Sequence, residues 1–465
     1  MTYRIDDIAV PAGDPFRYDV LERRPLVEFL SGLIKRVNGP FVIALDAPWG
    51  SGKTTLVRML MEDLKGKGFQ CTYFNAWKVD YVTDPLVAMV SSIDRSDLGV
   101  EAATNTFREH LNSVKKVTNL VAKRAAIAGV KAVTLGILDI DEGIEAVASN
   151  LAGEAVGDIV DAFNRESELI DKFRVELTAA VDQLPTAGKE ATMVFFIDEL
   201  DRCRPNFAIE MLERMKHLFD IPNIVFVLSV DKQQLESSTA AVYGAGINAA
   251  EYLRRFIDLE YGIPPANAKR YTEHLMTRFA LDPVFAERKS SEGAYDKENF
   301  VKTFTLLADA MKLSLRARER CIVRLRVVMD QTQSDQHLDP ILVALLIVLR
   351  SSAAPLFQRL ISGEASAEAV MEYLESLPGG IELVKGRTGL LIHAFLLAAD
   401  RNQDRARERE AQLRNDAKND GLSEVARRRA AELLDFKGRI EGGMRMGIRL
   451  APIAAKVDLA AMLRD

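Results

Sequence analysis

The sequence predicts an α/β fold: a buried parallel sheet, interrupted by a long helical insertion and followed by a helical C-terminal region. Three observations predict it. The apolar run Phe41-Val42-Ile43-Ala44-Leu45 leads into the glycine-rich segment Ala47 to Thr54, and a helical pattern from Thr55 to Leu64 follows. A second apolar run, Met193 to Ile197, ends in Asp198-Glu199; a helix from Phe207 to Phe219 and the run Ile224 to Leu228 come after it. Beyond residue 266 almost every segment has helical periodicity. Apolar runs that alternate with helices read as strands covered on both faces of a parallel sheet.

The elements follow in order. Residues 1 to 40 give a lead-in and a helix from about Pro25 to Val37. The strand at 41 to 45 comes next, then the glycine-rich turn and its helix, then a short β-prone run, Cys71-Thr72-Tyr73-Phe74. Asp84 before Pro85 fits an N-cap with proline in the first turn. The Ala-, Glu-, Lys- and Arg-rich stretch 95–190 is a helical insertion between two halves of one core, 1–94 and 191–265. A fifth strand is expected at Phe256 to Leu259, broken by Gly262-Ile263-Pro264-Pro265. Residues 266–465 form the helical C-terminal region, with an intensely charged stretch at Arg401 to Asn419.

Composition narrows the classes. With 465 residues, 48% of them hydrophobic and 28% charged, the chain can bury a substantial core, which excludes disorder throughout. A net charge of -6 gives no global case for nucleic acid. Three scattered cysteines, Cys71, Cys203 and Cys321, point to a reducing cytoplasm and to neither a disulfide framework nor a thiolate metal cluster. The five histidines make no ligand cluster in sequence. The N-terminus shows no secretory pattern. The best membrane candidate, Ala125 to Ile140, contains Lys131 and falls short of the ~20 apolar residues a span needs, as does Pro340 to Leu349; stable transmembrane insertion is not expected.

The chemistry starts in the glycine-rich segment. A strand that delivers Pro48, Trp49, Gly50, Ser51 and Gly52 to a helix N-terminus sets backbone N–H groups around a polyphosphate. Lys53 would reach the terminal phosphates of ATP, the Thr54 hydroxyl would hold Mg²⁺, and Thr55 completes the first turn. Ala47 stands where the pattern has its first glycine. Its methyl makes positive φ costly, so the loop suits phosphate only if residue 47 keeps ordinary dihedrals.

Asp198, at the end of an apolar strand, can hold a water bound to Mg²⁺, and Glu199 can polarise a water for in-line attack. Asp201 can orient Arg202, share the metal-water shell or take over the base role. Arg202 either pairs internally with an acid, the safer reading, or faces a neighbouring subunit's γ-phosphate. Ser229, at the tip of the next strand, is a candidate to sense the γ-phosphate or place the water; Asp231 beside it reads equally well as a helix cap. Cys203 reads as packing beside this loop. Trp77 either stacks on a base or joins the core, the commoner fate of a tryptophan after a strand.

These residues resemble the KAP family of P-loop NTPases. The resemblance rests on Pro48 to Thr54, Phe74-Asn75-Ala76-Trp77, Ile197 to Cys203, Val230-Asp231-Lys232, Tyr243-Gly244 and Glu251 to Arg255. It implies an additional-strand P-loop ATPase fold, with the metal aspartate at Asp198, the catalytic acid at Glu199 and a second acidic-basic pair at Asp201-Arg202. Members of the family insert sequence between the phosphate loop and the metal-binding acid, many with membrane helices. The short, charged apolar stretch here departs from that. The family's later basic pair resembles Ser314 to Arg320, which puts Arg316 in place for phosphate sensing.

The resulting expectation is an Mg²⁺-dependent ATPase that couples hydrolysis to regulation or assembly with a protein partner; the resemblance adds antiphage defence. A homo-oligomer is one candidate assembly, since a neighbour's arginine completes some P-loop sites. A non-hydrolytic scaffold and a P-loop kinase are the alternatives. The adjacent acids favour water activation over transfer to an acceptor. No coherent basic-aromatic groove is visible, although Arg316 to Arg326 leave nucleic-acid contact open.

Overall fold

The structure is a computed structural model that describes residues 8–37, 39–82, 85–93, 109–110, 112–116, 168, 170–185, 188–218, 220–287, 293–333, 338–443 and 450–458. The chain divides into two compact units, the first ending at Pro264 and the second beginning at Pro265.

The first unit is built on five parallel strands: β1 (Phe41–Asp46), β2 (Gln70–Asn75), β3 (Met193–Asp198), β4 (Ile224–Val230) and β5 (Leu259–Gly262). Their order across the sheet is β2-β3-β4-β1-β5. Every residue of β3 and β4 is buried, which is why their sequences are apolar without alternation. Alternation survives only in which helices each side chain meets. Ile43, Leu45, Val194, Phe196, Val225 and Val227 face α1 (Arg24–Ile34) and α2 (Lys53–Gly66). Ala44, Phe195, Ile197, Phe226 and Leu228 face the opposite layer. Leu26, Val27, Leu30 and Ile34 of α1 recur at helical spacing and are buried, so this one stripe carries the packing.

The opposite layer holds α3 (Pro85–Ile93), α4 (Pro205–Leu218) and α5 (Lys232–Tyr243), followed by the short α6 (Ala249–Leu253). Part of the insertion also belongs to it: Ile170, Phe173, Leu177, Ala180, Val181 and Leu184 recur at helical spacing in the same core. Most of 95–190, including the candidate span 125–140, lies outside the described residues, as does Asp84.

Of the boundaries that differ from expectation, two bear on the site. The helix after the glycine-rich turn starts at Lys53, because Gly52 already supplies the left-handed residue that closes the turn. The fifth strand is shifted from 256–259 to 259–262. Phe256 is apolar because it anchors in the core after α6, and Asp258 then docks the chain on β1 through the Val42 N–H, 2.8 Å from its carboxylate. Gly262 stays in the strand opposite Asp46, and Pro264-Pro265 end it.

The second unit begins with α7 (Ala268–Arg278), α8 (Leu281–Ala286), α9 (Gly293–Ala310), α10 (Leu315–Asp330) and α11 (Pro340–Ser352), and further helices run to Asp458. Pro340 to Leu349 are buried on every side, so this apolar stretch is a core helix. Among the described residues no helix is long and apolar enough to cross a membrane.

Asp339 caps α11 by accepting the N–H groups of Ile341 and Leu342, each at 2.9 Å. Burial, aided by the charge of Asp296, nevertheless pushes its carboxyl up from 3.8 to about 7. An acid whose pKa is raised on folding holds extra protons in the folded state, so its contribution to stability is lost as pH rises through that window. We expect Tm to fall by several degrees between pH 4 and pH 7, and the Asp339→Asn variant, which keeps the cap, to flatten that slope. Thermal melts across pH check it; an unchanged slope in the variant would contradict it.

Candidate functional site

The glycine-rich segment passes between β1 and α2 with Gly50 at φ 77° and Gly52 at φ 89°, conformations that a Cβ would strain. Ala47 is not among the residues with positive φ, which meets the condition the missing glycine imposed. It is buried, and its N–H donates to Val230 O at 3.2 Å. Two backbone torsions taken by glycine therefore shape the turn, and Ala47 lies buried at its start.

Parallel register brings the polar strand ends into one row. Asn75 lies opposite Asp198, and Asp198 opposite Ser229. Asp198 is only 1% exposed. It accepts the Tyr73 hydroxyl at 2.9 Å and the Glu199 N–H at 3.0 Å. Burial, and then the neighbouring Asp198 charge, push the Tyr73 phenol up, so it stays a donor. Tyr73 is a site residue that sequence reasoning missed. The available signal was that strand register sets it and Asp198 on the same face.

Lys53 is buried at the first turn of α2, and its ammonium donates to Ala47 O. It lies 3.8 Å from the Asp201 carboxylate. Desolvation pushes Lys53 down from its ordinary value, opposed by Asp201, Asp231 and Asp198. Desolvation likewise pushes Asp201 up, opposed by Lys53 and by the Trp49 indole, which donates to the carboxylate. The Asp231 N–H adds a third contact to the same oxygen at 3.0 Å. Asp201 thus joins the turn, through Trp49 and Lys53, to the start of α5. Asp231 sits at the N-cap of that helix, yet its side chain makes no capping bond.

Glu199 follows β3 in a left-handed conformation, φ 62°, which throws its side chain out of the strand's alternation. Its two oxygens are both engaged. The Asn75 amide donates at 3.0 Å, and the Arg202 guanidinium lies 2.7 Å away. Arg202 is therefore internally paired, and it also lies over the Trp77 ring at 5.8 Å. Trp77 is 52% exposed, so it is not a core residue. Cys203 is buried, and desolvation pushes its thiol up to about 12, against a role as nucleophile.

Among the described residues, three buried polar atoms around this site lack protein partners: Ser51 Oγ, Asp201 Oδ1 and Ser229 Oγ. Ser229 is completely buried on the strand beside Asp198. Orphaned buried oxygens are costly, and a polar ligand in the turn would relieve them. Thr54 and Thr55 are half-buried on the first turn of α2. The donor set of one hydroxyl and one carboxylate, Thr54 and Asp198, is hard oxygen and suits Mg²⁺ carried in with phosphate. Arg316 belongs to the second unit, exposed on the first turn of α10, where the Ser314 hydroxyl accepts the Ala317 N–H at 3.2 Å. Arg318, two residues on, is buried against Asp309 and Leu313 O.

Comparison with known proteins adds the following. A model described as the KAP family P-loop domain matches residues 23–331. No curated protein matches the sequence. Among solved structures, the Aeropyrum pernix ORC2 protein in ADPNP-ADP complexes is 14% identical over 95% of each chain, with a TM-score of 0.34. Its ADP form gives the same identity and coverage and a TM-score of 0.32. At such scores neither likeness bears on the fold or chemistry of this chain.

Proposed function

The chain belongs to the KAP family of P-loop NTPases, and from that premise we propose that it hydrolyses ATP with Mg²⁺ and uses the cycle to regulate or assemble with a protein partner. One observation carries the proposal. The glycine-shaped turn, the buried Lys53 ammonium and the adjacent acids Asp198 and Glu199 meet at one end of a parallel sheet, among polar atoms with no protein partner.

The turn from Pro48 to Gly52 and the first turn of α2 would bind the phosphates, with Lys53 leaving Asp201 for them. Thr54 and Asp198 would hold Mg²⁺, Asp198 through a water. When bound, Mg²⁺ neutralises charge that develops on the β- and γ-oxygens. Glu199 takes a proton from the attacking water, while Ser229 fixes that water or senses the γ-phosphate, and Asp201 restores the loop after release. The family resemblance would give Arg316 a phosphate-sensing role. A cytoplasmic setting fits the three free, buried cysteines, and antiphage defence is the biological role the family suggests. Phosphate release with no added acceptor tests hydrolysis against kinase chemistry. Transfer that depends on an acceptor would reverse the assignment.

The engaged state of Glu199 gives a second reading. A carboxylate with one oxygen held by Asn75 and the other by Arg202 is restrained from turning to an attacking water, as in a scaffold that binds ATP without turnover. In the ATPase reading the same contacts are a restraint that must open. Arg202→Ala is then expected to raise basal phosphate release about threefold, because general-base efficiency depends on access to the proton. A fall in rate with unchanged ATP affinity would instead assign Arg202 to the phosphate.

A further inference from the structure

Arg23 precedes α1 and is only 2% exposed, although among the described residues it has no ion-pair partner at contact distance. The residue before it, Glu22, is left-handed at φ 56°, a conformation that non-glycine residues rarely adopt. Asp19 holds the local backbone by accepting the N–H groups of Arg23 at 2.9 Å and Arg24 at 2.8 Å. The guanidinium spans two distant points of the chain. Its Nη1 donates to Pro264 O at 2.6 Å, and its Nη2 reaches Ser51 O at 3.5 Å. Its Nε is buried with no partner. Burial pushes the guanidinium down, with Asp19 opposing. One end of the fork is thus tight and the other slack.

The slack end lies in the phosphate loop. A trans peptide sets its C=O and N–H in opposite directions, so a Ser51 carbonyl turned toward Arg23 turns the Gly52 N–H away from it. That N–H is one of the donors the loop would offer to phosphate. Donation by one end of a peptide strengthens acceptance at the other, so a phosphate on Gly52 would tighten the bond from Arg23 to Ser51. At the far end Pro264 precedes Pro265, whose ring fixes φ, and a displacement there is not absorbed by free torsion. Just upstream, the Ile263 N–H holds β5 to Asp46 O at 2.9 Å.

Resting on the nucleotide-site reading above, we propose that Arg23 is a positioning residue that ties the Ser51–Gly52 peptide to Pro264, so that filling the phosphate loop changes the point where the chain leaves the first unit. An arginine is required because its planar fork fixes two N–H donors in separate directions, one for each carbonyl, whereas a lysine ammonium is a compact point charge on a flexible stem with no such fixed reach.

The test is hydrogen exchange at Tyr261, Gly262 and Ile263 in the full chain, with and without saturating Mg²⁺-ATP, beside calorimetric affinity. In the wild type, ATP is expected to slow exchange of these amides about tenfold. Arg23→Lys should weaken ATP binding about tenfold and lose the slowing even at saturation. Pro264→Gly, which leaves the loop intact, should keep the affinity and lose the slowing. This second variant also stands in should Arg23→Lys fail to fold, since a purely structural arginine would not produce its pattern. Full slowing in either variant at saturation would overturn the proposal. A wild type that binds ATP with no change at 261–263 overturns the coupling alone. A wild type with no ATP affinity overturns the nucleotide reading beneath it.

Discussion

Lys53→Ala is expected to weaken ATP binding at least a hundredfold, about 2.7 kcal/mol or more, with the fold retained. Truncating one member of a desolvated charge pair typically costs about 2–5 kcal/mol in binding, and the Lys53 ammonium is the cation in this site that the loop itself presents to phosphate. The free protein already holds that ammonium against Ala47 O and 3.8 Å from Asp201, so on the proposed reading ATP would exchange these partners for phosphate oxygens with no further burial of the lysine itself. Removing the side chain also leaves Asp201 buried with fewer compensating partners. A modest loss in Tm is therefore expected beside the loss of affinity, since Trp49 and the Asp231 amide still satisfy one carboxylate oxygen. Calorimetry and thermal melts on the same variant separate the two effects. Undiminished affinity would remove Lys53 from the site.

The second large effect is on turnover. Glu199→Gln should keep ATP affinity within about threefold and reduce hydrolysis by at least a hundredfold, the lower range for loss of a positioned general base. Glutamine is nearly isosteric and can still accept from Asn75, so the strand end should keep its shape. It cannot take a proton from water, and it loses its ion pair with Arg202. That ion pair is partly exposed to solvent, so its loss should have little effect on stability. Single-turnover phosphate release read beside equilibrium binding makes the comparison. Equal rates in variant and wild type would favour the scaffold reading.

The parts legible in the sequence are those set by local pattern. Strands β1, β3 and β4 announce themselves because burial on both faces demands unbroken apolar runs, whereas β2, at the other edge of the sheet, shows only as the β-prone run Cys71 to Phe74. The edge strand β5 has only half-buried residues, and the apolar Phe256 that suggested its start belongs to the core instead. At the candidate site, the turn and the acids at the end of β3 are contiguous motifs, so their spacing was readable. What could not be read were the pairings. Trp49 meets Asp201, Asn75 meets Glu199 and Arg23 meets Pro264 across sequence separations that only the tertiary fold closes. Tyr73 was hidden for another reason: a tyrosine in a β-prone run reads as strand propensity until its hydroxyl is seen on Asp198. The left-handed turn at Glu199 follows from no composition rule, since glutamate rarely adopts it.

One proposed arrangement underlies these expectations: a triphosphate and its cation held between the first turn of α2 and the end of β3. Titration calorimetry of the full chain with ATP, in Mg²⁺ and then in excess chelator, tests it most directly. A single saturable site that weakens at least tenfold without Mg²⁺, and further on Asp198→Ala, is the expected result. A folded sample that takes up no ATP, or takes it up equally without Mg²⁺ and without Asp198, would contradict it.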